Sequence, residues 1–109
     1  MTVVVAFAPD LMDRSKISAA ASSVDGLELR YVGSPEALVG LAGVDLVVLD
    51  LAKRGGLDVI ADVVASGVRV VAYGSHVDTA TLDAARAAGC DEVLPRSRFF
   101  ASLPTVLRV

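Results

Sequence analysis

The chain has 109 residues, of which 54% are apolar, 5% are aromatic and none is tryptophan. This length predicts one domain over residues 1–109 with a single hydrophobic core. Ten Lys and Arg residues against thirteen Asp and Glu residues give a net charge of −3, which argues against direct nucleic-acid binding. No apolar stretch reaches the roughly 20 residues of a transmembrane helix, so we expect a cytoplasmic protein that does not contact a membrane.

Five short apolar runs predict β-strands. The first covers residues 2–8. The second, residues 27–32, alternates apolar and polar residues, which is typical of a half-exposed edge strand. The third, residues 44–50, reads V-D-L-V-V-L-D and fits a parallel strand that is buried on both faces. Residues 68–73 and 92–94 are predicted as the fourth and fifth strands.

Helices are predicted between these strands from capping residues and apolar spacing. Asp10 is expected to cap the first helix, and Ser34 precedes a proline and a glutamate that begin a short second helix. A third helix follows the third strand, and Asp78 is expected to cap the fourth. Ser97 is predicted to cap the last helix, which Pro104 interrupts.

Strands that alternate with helices predict an α/β protein with three layers. Right-handed crossovers leave few arrangements, and the common one at this size is a five-stranded parallel sheet in the order 2-1-3-4-5. In such sheets ligands collect where the strands end, because the next helices begin there with unpaired N–H groups. The residues expected to line this crevice are Asp50, Asp10, Gly74, Ser75, His76 and Arg96.

Three segments resemble motifs of the receiver domains of two-component response regulators. Residues 48–51, V-L-D-L, are similar to the strand-three motif whose aspartate accepts a phosphoryl group. Residues 73–78, Y-G-S-H-V-D, resemble the strand-four segment L-T-A-H-x-D, and residues 89–94 align without a gap with G-A-D-x-Y-L. The resemblance spans essentially the whole chain and implies a flavodoxin-like (CheY-like) fold with Asp50 as the candidate phosphoacceptor.

The metal site implied by this resemblance is altered. Receiver domains hold Mg²⁺ with an acidic pair at the end of strand one, because the charge of the transferred phosphoryl group must be neutralised. Phe7 and Ala8 stand at those positions, and neither binds a hard cation. Asp10 lies close by but is better explained as a helix cap, so Asp10 and Asp50 are weak metal candidates. No cofactor is therefore expected, and Mg²⁺ is expected only if Asp50 is phosphorylated.

Three further positions depart from the receiver pattern. The strand-four Thr or Ser corresponds to Gly74, and the strand-five Lys corresponds to Arg96. The aromatic residue that switches rotamer corresponds to Val93. The chain therefore resembles an atypical receiver, or pseudo-receiver. Without a cation, Asp50 is expected to serve a structural role and could form an ion pair with Arg96 across the crevice.

The leading interpretation is a non-enzymatic signalling or interaction module that works without phosphorylation. It would bind a protein partner or a second copy through the fourth helix, fifth strand and fifth helix, with Val93, Phe99 and Phe100 as candidate contacts. One alternative is a stand-alone phosphoacceptor that uses Asp50 and Mg²⁺ with help from Asp10. Another is a small-ligand sensor in the crevice.

Two single residues are given ordinary structural roles. Cys90 is the one cysteine of the chain and is predicted to be a small buried filler. His76 is the one histidine and is predicted to lie in a solvated loop. The loop pairs Gly33-Ser34, Gly55-Gly56 and Gly74-Ser75 form no phosphate-binding motif. Residues 8–11 offer no loop rich in Ser and Thr for a flavin phosphate, so no flavin is expected.

Overall fold

The computed structural model describes residues 1–108 and contains one five-stranded sheet. Its strands are β1 (Thr2–Phe7), β2 (Leu27–Tyr31), β3 (Leu46–Asp50), β4 (Arg69–Gly74) and β5 (Glu92–Pro95). Within the sheet their order is β2-β1-β3-β4-β5, and every neighbouring pair is parallel. This order confirms the predicted flavodoxin-like α/β fold, in which the chain adds strands on both sides of β1.

Three α-helices and one short 3-10 turn connect the strands, and two further α-helices follow β5. They are α1 (Leu11–Ser22), the turn (Pro35–Leu38), α2 (Gly56–Ala65), α3 (Thr79–Ala87), α4 (Arg96–Ala101) and α5 (Leu103–Val106). Within residues 1–108, no helix is both long and apolar enough to cross a membrane.

The second predicted helix begins at Pro35 as expected, but it is a four-residue 3-10 helix that ends at Leu38, before the predicted end near Gly40 or Gly43. Ser34 precedes it in extended conformation, and its side chain makes no capping hydrogen bond. Gly40 and Gly43 follow with φ angles of 77° and 72°, in the left-handed region that ends helical structure. The segment therefore starts at the predicted residue but lacks the side-chain cap and the length of an α-helix.

Apolar side chains cover both faces of the sheet. On β1, Val4 belongs to one buried cluster and Val5 to the other, because successive strand residues point to opposite faces. The first cluster packs against α1, α4 and α5, and the second packs against α2, α3 and the 3-10 turn. All five residues of β3 are buried. The sheet is therefore the middle of three layers, as predicted.

The buried side of α1 differs from the predicted stripe. The spacing of Leu11, Ile17, Ser18, Ala21 and Val24 in the sequence predicts that stripe, but Leu11 is 79% exposed. The buried residues of α1 are Asp13, Ile17 and Ala21, which are four residues apart and therefore lie on one side of the helix. A carboxylate, which the predicted stripe did not include, thus lies on the buried side of α1.

The last helical segment begins earlier than predicted. Ser97 lies inside α4 and does not cap it, because the ladder between β4 and β5 ends at Pro95 and the helix begins with the next residue. The predicted interruption at Pro104 is confirmed. Ser102 separates α4 from α5, and Pro104 lies in the first turn of α5, where its missing N–H is tolerated.

The predicted interaction residues Val93 and Phe99 lie in the core, so their assignment to a contact surface is wrong. Val93 is 7% exposed and packs in the cluster beneath α3, while Phe99 is fully buried and stacks on Tyr73 at 4.3 Å between ring centroids. α4 turns Phe99 toward the sheet, because this side of the helix covers β4. Phe100 is half-buried, and the Lys16 ammonium of α1 lies 5.0 Å from its ring.

Candidate functional site

The carboxyl ends of the strands meet at one edge of the sheet. The register pairs Asp50 at the end of β3 with Tyr73 of β4, and it pairs Gly74 with Pro95 of β5. Arg96 follows directly as the first residue of α4. Parallel strands thus bring these residues to the edge where α/β proteins bind ligands, as the sequence predicted.

Asp50 is a buried carboxylate with one hydrogen bond. It is 1% exposed, and its Oδ1 accepts the Ala52 N–H at 2.9 Å. Burial raises the pKa of Asp50 above its ordinary value, and the nearby Asp13 charge raises it further. The Ala52 N–H and the charges of Arg96 and Lys53 act in the opposite direction. The folded protein therefore disfavours a negative charge at the candidate phosphoacceptor.

Arg96 binds Asp13, and the predicted ion pair between Arg96 and Asp50 is wrong. Two guanidinium N–H groups donate to Asp13, from Nη1 to Oδ2 at 3.0 Å and from Nη2 to Oδ1 at 2.6 Å. The Tyr73 hydroxyl donates to Asp13 Oδ2 at 3.1 Å. The planar fork of a guanidinium matches both oxygens of one carboxylate, so Asp13 holds Arg96 in a fixed orientation. Asp13 is 1% exposed, whereas the Arg96 side chain is 40% exposed.

Aromatic rings surround this ion pair. The guanidinium carbon of Arg96 lies 5.5 Å from the Tyr73 ring centroid and 5.2 Å from that of Phe100, within reach of cation–π attraction. Burial raises the pKa of Tyr73, as do the charges of Asp50 and Asp13, so its hydroxyl stays protonated and donates. We call Asp13, Arg96 and Tyr73 the Asp13 triad. It joins α1, α4 and β4.

Asp10 caps α1, as predicted. Its Oδ1 accepts the N–H groups of Met12 at 2.8 Å and Asp13 at 3.0 Å, which have no partner within the helix. These hydrogen bonds, that from Asp13 first, lower the pKa of Asp10. Asp10 is exposed and stays ionised, but its carboxylate is already bound to the start of the helix.

The residues at this edge do not fit a hard divalent cation. Phe7 and Ala8 are buried apolar residues where receivers carry acids. Asp13 uses both oxygens for the triad, and Asp10 caps α1. Across residues 1–108, no three His, Cys, Asp or Glu side chains are grouped to hold a metal ion. Asp50 remains, together with the Oδ2 of Asp10, which accepts no hydrogen bond within residues 1–108, and neither belongs to an acidic pair at the end of β1.

The remaining predicted crevice residues lie beside Asp50 but do not form one pocket with it. Gly74 is buried, and a Cβ atom there would lie 3.3 Å from Leu51 and 3.4 Å from Leu82. Ser75 accepts a loop N–H at 3.3 Å, and His76 is exposed. A cavity of about 200 Å³ is lined by Leu51, Ala52, Gly74, Ser75, Asp78, Thr81 and Leu82. It includes neither His76 nor Arg96.

Two important residues of the site were not predicted, namely Asp13 and Tyr73. For Asp13 the signal was present, since it precedes Ile17 by four residues and Ala21 by eight on the first helix. For Tyr73 the sequence predicted only a strand residue. Its partner lies 60 positions earlier in the chain, and no local pattern links the two.

Cys90 lies half-buried against the cluster beneath α2 and α3. Burial raises the pKa of its thiol to about 11, and the charge of Asp91 adds to this effect. The thiol therefore stays protonated at neutral pH, which is typical of a small packing residue.

The fold is that of response-regulator receiver domains. No protein-family model matches the chain, and no curated protein matches its sequence. Solved structures do match, and they include a Burkholderia pseudomallei response regulator with a phosphorylated aspartic acid and a calcium ion. The TM-score is 0.79 and the identity 18%, over 100% of this chain and 68% of that one.

Two further similar structures are response regulators that this chain covers almost completely. The phosphorylated cyanobacterial phytochrome response regulator RcpA gives a TM-score of 0.82 at 14% identity, over 96% of this chain and 90% of that one. The Mn²⁺-bound form of response regulator Rcp1 gives 0.81 at 15% identity, over 100% and 96%. These TM-scores establish a common fold. Because the identities are low, function must be argued from the site.

The Asp13 triad should contribute measurably to stability. Arg96→Met is expected to lower the free energy of unfolding by about 2 kcal/mol, because it leaves a buried carboxylate without its cation. The loss is smaller than for a fully buried pair, since Arg96 is partly exposed. Adding Asp13→Asn to Arg96→Met is expected to cost less than the sum of the single changes. Urea unfolding of the two single variants and the double variant measures this coupling, with the exposed Arg54→Met as control. If the losses of unfolding free energy in the two single variants add up in the double variant, the coupling is contradicted.

Asp50→Asn is expected to stabilise the protein at neutral pH. The folded-state pKa of Asp50 is raised, so above its ordinary value of 3.8 the unfolded state releases its proton before the folded state does. The contribution of Asp50 to the free energy of unfolding is therefore fully present below pH 3.8, and it is lost as the pH rises through the folded-state pKa. The amide oxygen of Asn still accepts the Ala52 N–H but carries no charge. Urea unfolding at acid and neutral pH checks this, and a variant less stable at neutral pH would disprove it.

Proposed function

We propose that the protein is a non-enzymatic, receiver-like signalling module that acts through protein contact and without phosphorylation of Asp50. The observation that carries this proposal is the bidentate bond between Arg96 and Asp13. This bond occupies Arg96, which stands at the position of the phosphate-binding lysine of receivers. It also occupies both oxygens of Asp13, the acid nearby. The proposal includes a single domain over residues 1–109 and a cytoplasmic location.

Phosphoryl transfer makes demands that this edge of the sheet does not meet. The transferred group carries charge that a metal ion and a cationic side chain must neutralise. Here Phe7 and Ala8 supply no metal ligands, and Arg96 already donates to a carboxylate. Burial and the charge of Asp13 together raise the pKa of Asp50 itself. These features support a scaffold that keeps the receiver fold without its chemistry.

The phosphoacceptor alternative rests on the position of Asp50 at the end of β3 and on the phosphorylated aspartic acid of the Burkholderia structure. The ligand-sensor alternative rests on the cavity of about 200 Å³ beside Gly74 and Ser75. Both stay predictions. The first of them is separated from the proposal by one direct measurement.

Amide NMR spectra with and without Mg²⁺ plus beryllofluoride, a mimic of the aspartyl phosphate, test the proposal. We expect no shifts that depend on Asp50, because no second acid binds the metal and Arg96 stays bound to Asp13. Asp50→Ala shows which shifts are specific, and the Burkholderia receiver domain serves as positive control. Shifts at Asp50, Ser75 and Arg96 that disappear in Asp50→Ala would establish the phosphoacceptor alternative instead.

The partner surface is proposed along β5, on the side where Val93 and Phe99 were expected to lie. Because those two side chains are buried, other residues must form the contact surface. A groove of about 310 Å³ is lined by Arg69, Glu92, Leu94, Arg98, Ser102, Thr105 and Val106. Its two arginines and one glutamate favour a partner segment of mixed charge.

Charge reversal at this groove should remove the partner. In living cells, Arg98→Glu is expected to abolish crosslinking between this chain and its main partner protein, because it replaces an attractive charge at the groove by a repulsive one. Arg54→Glu, an exposed reversal in the loop after β3, is the matched control and should leave crosslinking unchanged. Mass spectrometry identifies the crosslinked proteins. Identical sets for wild type and Arg98→Glu would exclude this surface.

A further inference from the structure

The outer edge of β2 has an unusual arrangement of backbone and charged groups. β2 is the first strand of the sheet and has β1 as its one neighbour among residues 1–108. The Thr2 N–H donates to the Gly26 carbonyl at 2.9 Å, and the Val32 N–H donates to the Ala6 carbonyl at 3.0 Å. In a parallel ladder, alternate residues bond a given neighbour. The even-numbered residues of β2 therefore bond to β1.

The odd-numbered residues of β2 direct their backbone outward. These are Leu27, Leu29 and Tyr31, whose three N–H and three C=O groups point away from the sheet. Their side chains pack against the cluster beneath α1, which holds the strand flat against the core. Unpaired groups in a row form a template for another strand, and here the row holds six of them.

The side chains between these residues are charged and of opposite sign. Glu28 and Arg30 lie on the face of β2 opposite α1 and form an ion pair with each other. When two copies of β2 pair antiparallel about a two-fold axis at Leu29, Glu28 of one copy lies opposite Arg30 of the other. This position is a non-hydrogen-bonded pair, in which facing side chains are closest.

This register is the one in which hydrogen bonding and charge agree. Leu29 pairs with Leu29 of the second copy, and Leu27 pairs with Tyr31 on each side, so all six outward groups are bonded. Moving the axis by two residues places Glu28 opposite Gly26, or Arg30 opposite Val32, and leaves outward groups unpaired. Charged residues on edge strands usually deter pairing, but this pair of charges is complementary to itself.

We propose that two copies of the chain associate through antiparallel pairing of their β2 strands, which joins two sheets into one of ten strands. The occupant of the edge is a second copy, because the strand matches its own charges and hydrogen-bonding groups about one axis. β2 and β5 lie at opposite edges of the sheet, so the groove along β5 stays accessible. The inference does not depend on the function proposed above.

Sedimentation equilibrium of the full chain tests the dimer with two matched variants. Glu28→Arg and Arg30→Glu each place like charges opposite each other in the dimer, so each is expected to weaken self-association at least about tenfold. An equimolar mixture of the two variants restores opposite charges and should associate like wild type, as should the double variant Glu28→Arg/Arg30→Glu. Circular dichroism melting shows that each variant is folded, and Arg54→Glu, an exposed charge reversal that lies in neither surface, is the control.

Hydrogen exchange of single amides distinguishes this dimer from any other. In wild type, the amides of Leu27, Leu29 and Tyr31 should exchange slowly, and in either single variant they should exchange rapidly. The amides of Glu28 and Arg30, bonded to β1, should stay protected throughout. A wild type that is monomeric at millimolar concentration would overturn the inference, as would a dimer that survives both single reversals.

Discussion

The carboxylate of Asp13 is the group on which the carboxyl edge of this protein depends. It lies buried on α1, accepts from Arg96 and Tyr73, and thereby connects residues that are 83 and 60 positions away in the chain. A buried carboxylate is stable only when its charge is paired and its oxygens are hydrogen-bonded. Both conditions are met here, and the rings of Tyr73 and Phe100 lie within reach of the guanidinium. The first turn of α4 is therefore held against α1 and the sheet.

This arrangement changes what the neighbouring Asp50 can do. In receivers the residue at that position works with acids from strand one and with a mobile cation. Here the first strand ends in Phe7 and Ala8, and Arg96 is bound to Asp13. Asp50 is left with the Ala52 N–H as its hydrogen-bond partner and a pKa raised by burial. The edge thus places Asp50 at the end of β3 beside two apolar residues and an arginine that is bound to another acid.

The sheet tolerates this change because most of its packing does not involve the charged side chains of this edge. Apolar side chains on both faces of β1 and β3 form two buried clusters, and of the Asp13 triad only Tyr73 belongs to one of them. The loops and helix starts at the carboxyl end can therefore vary while the layers stay the same, which is why one α/β fold supports many functions. The two edge strands of the sheet, β2 and β5, are also separated from each other by the three strands between them.

Much of this protein is determined by the sequence alone. Apolar runs and capping residues such as Asp10 and Asp78 predicted the strands, four of the five helical regions and the strand order, because these depend on local spacing and on chain handedness. The residues at the carboxyl edge followed from the same topology. The tertiary structure alone decided that Arg96 binds Asp13 and not Asp50, and that Phe99 faces the core. Both depend on how α1 and α4 are rotated about their axes, and that rotation is set by packing between elements far apart in the chain.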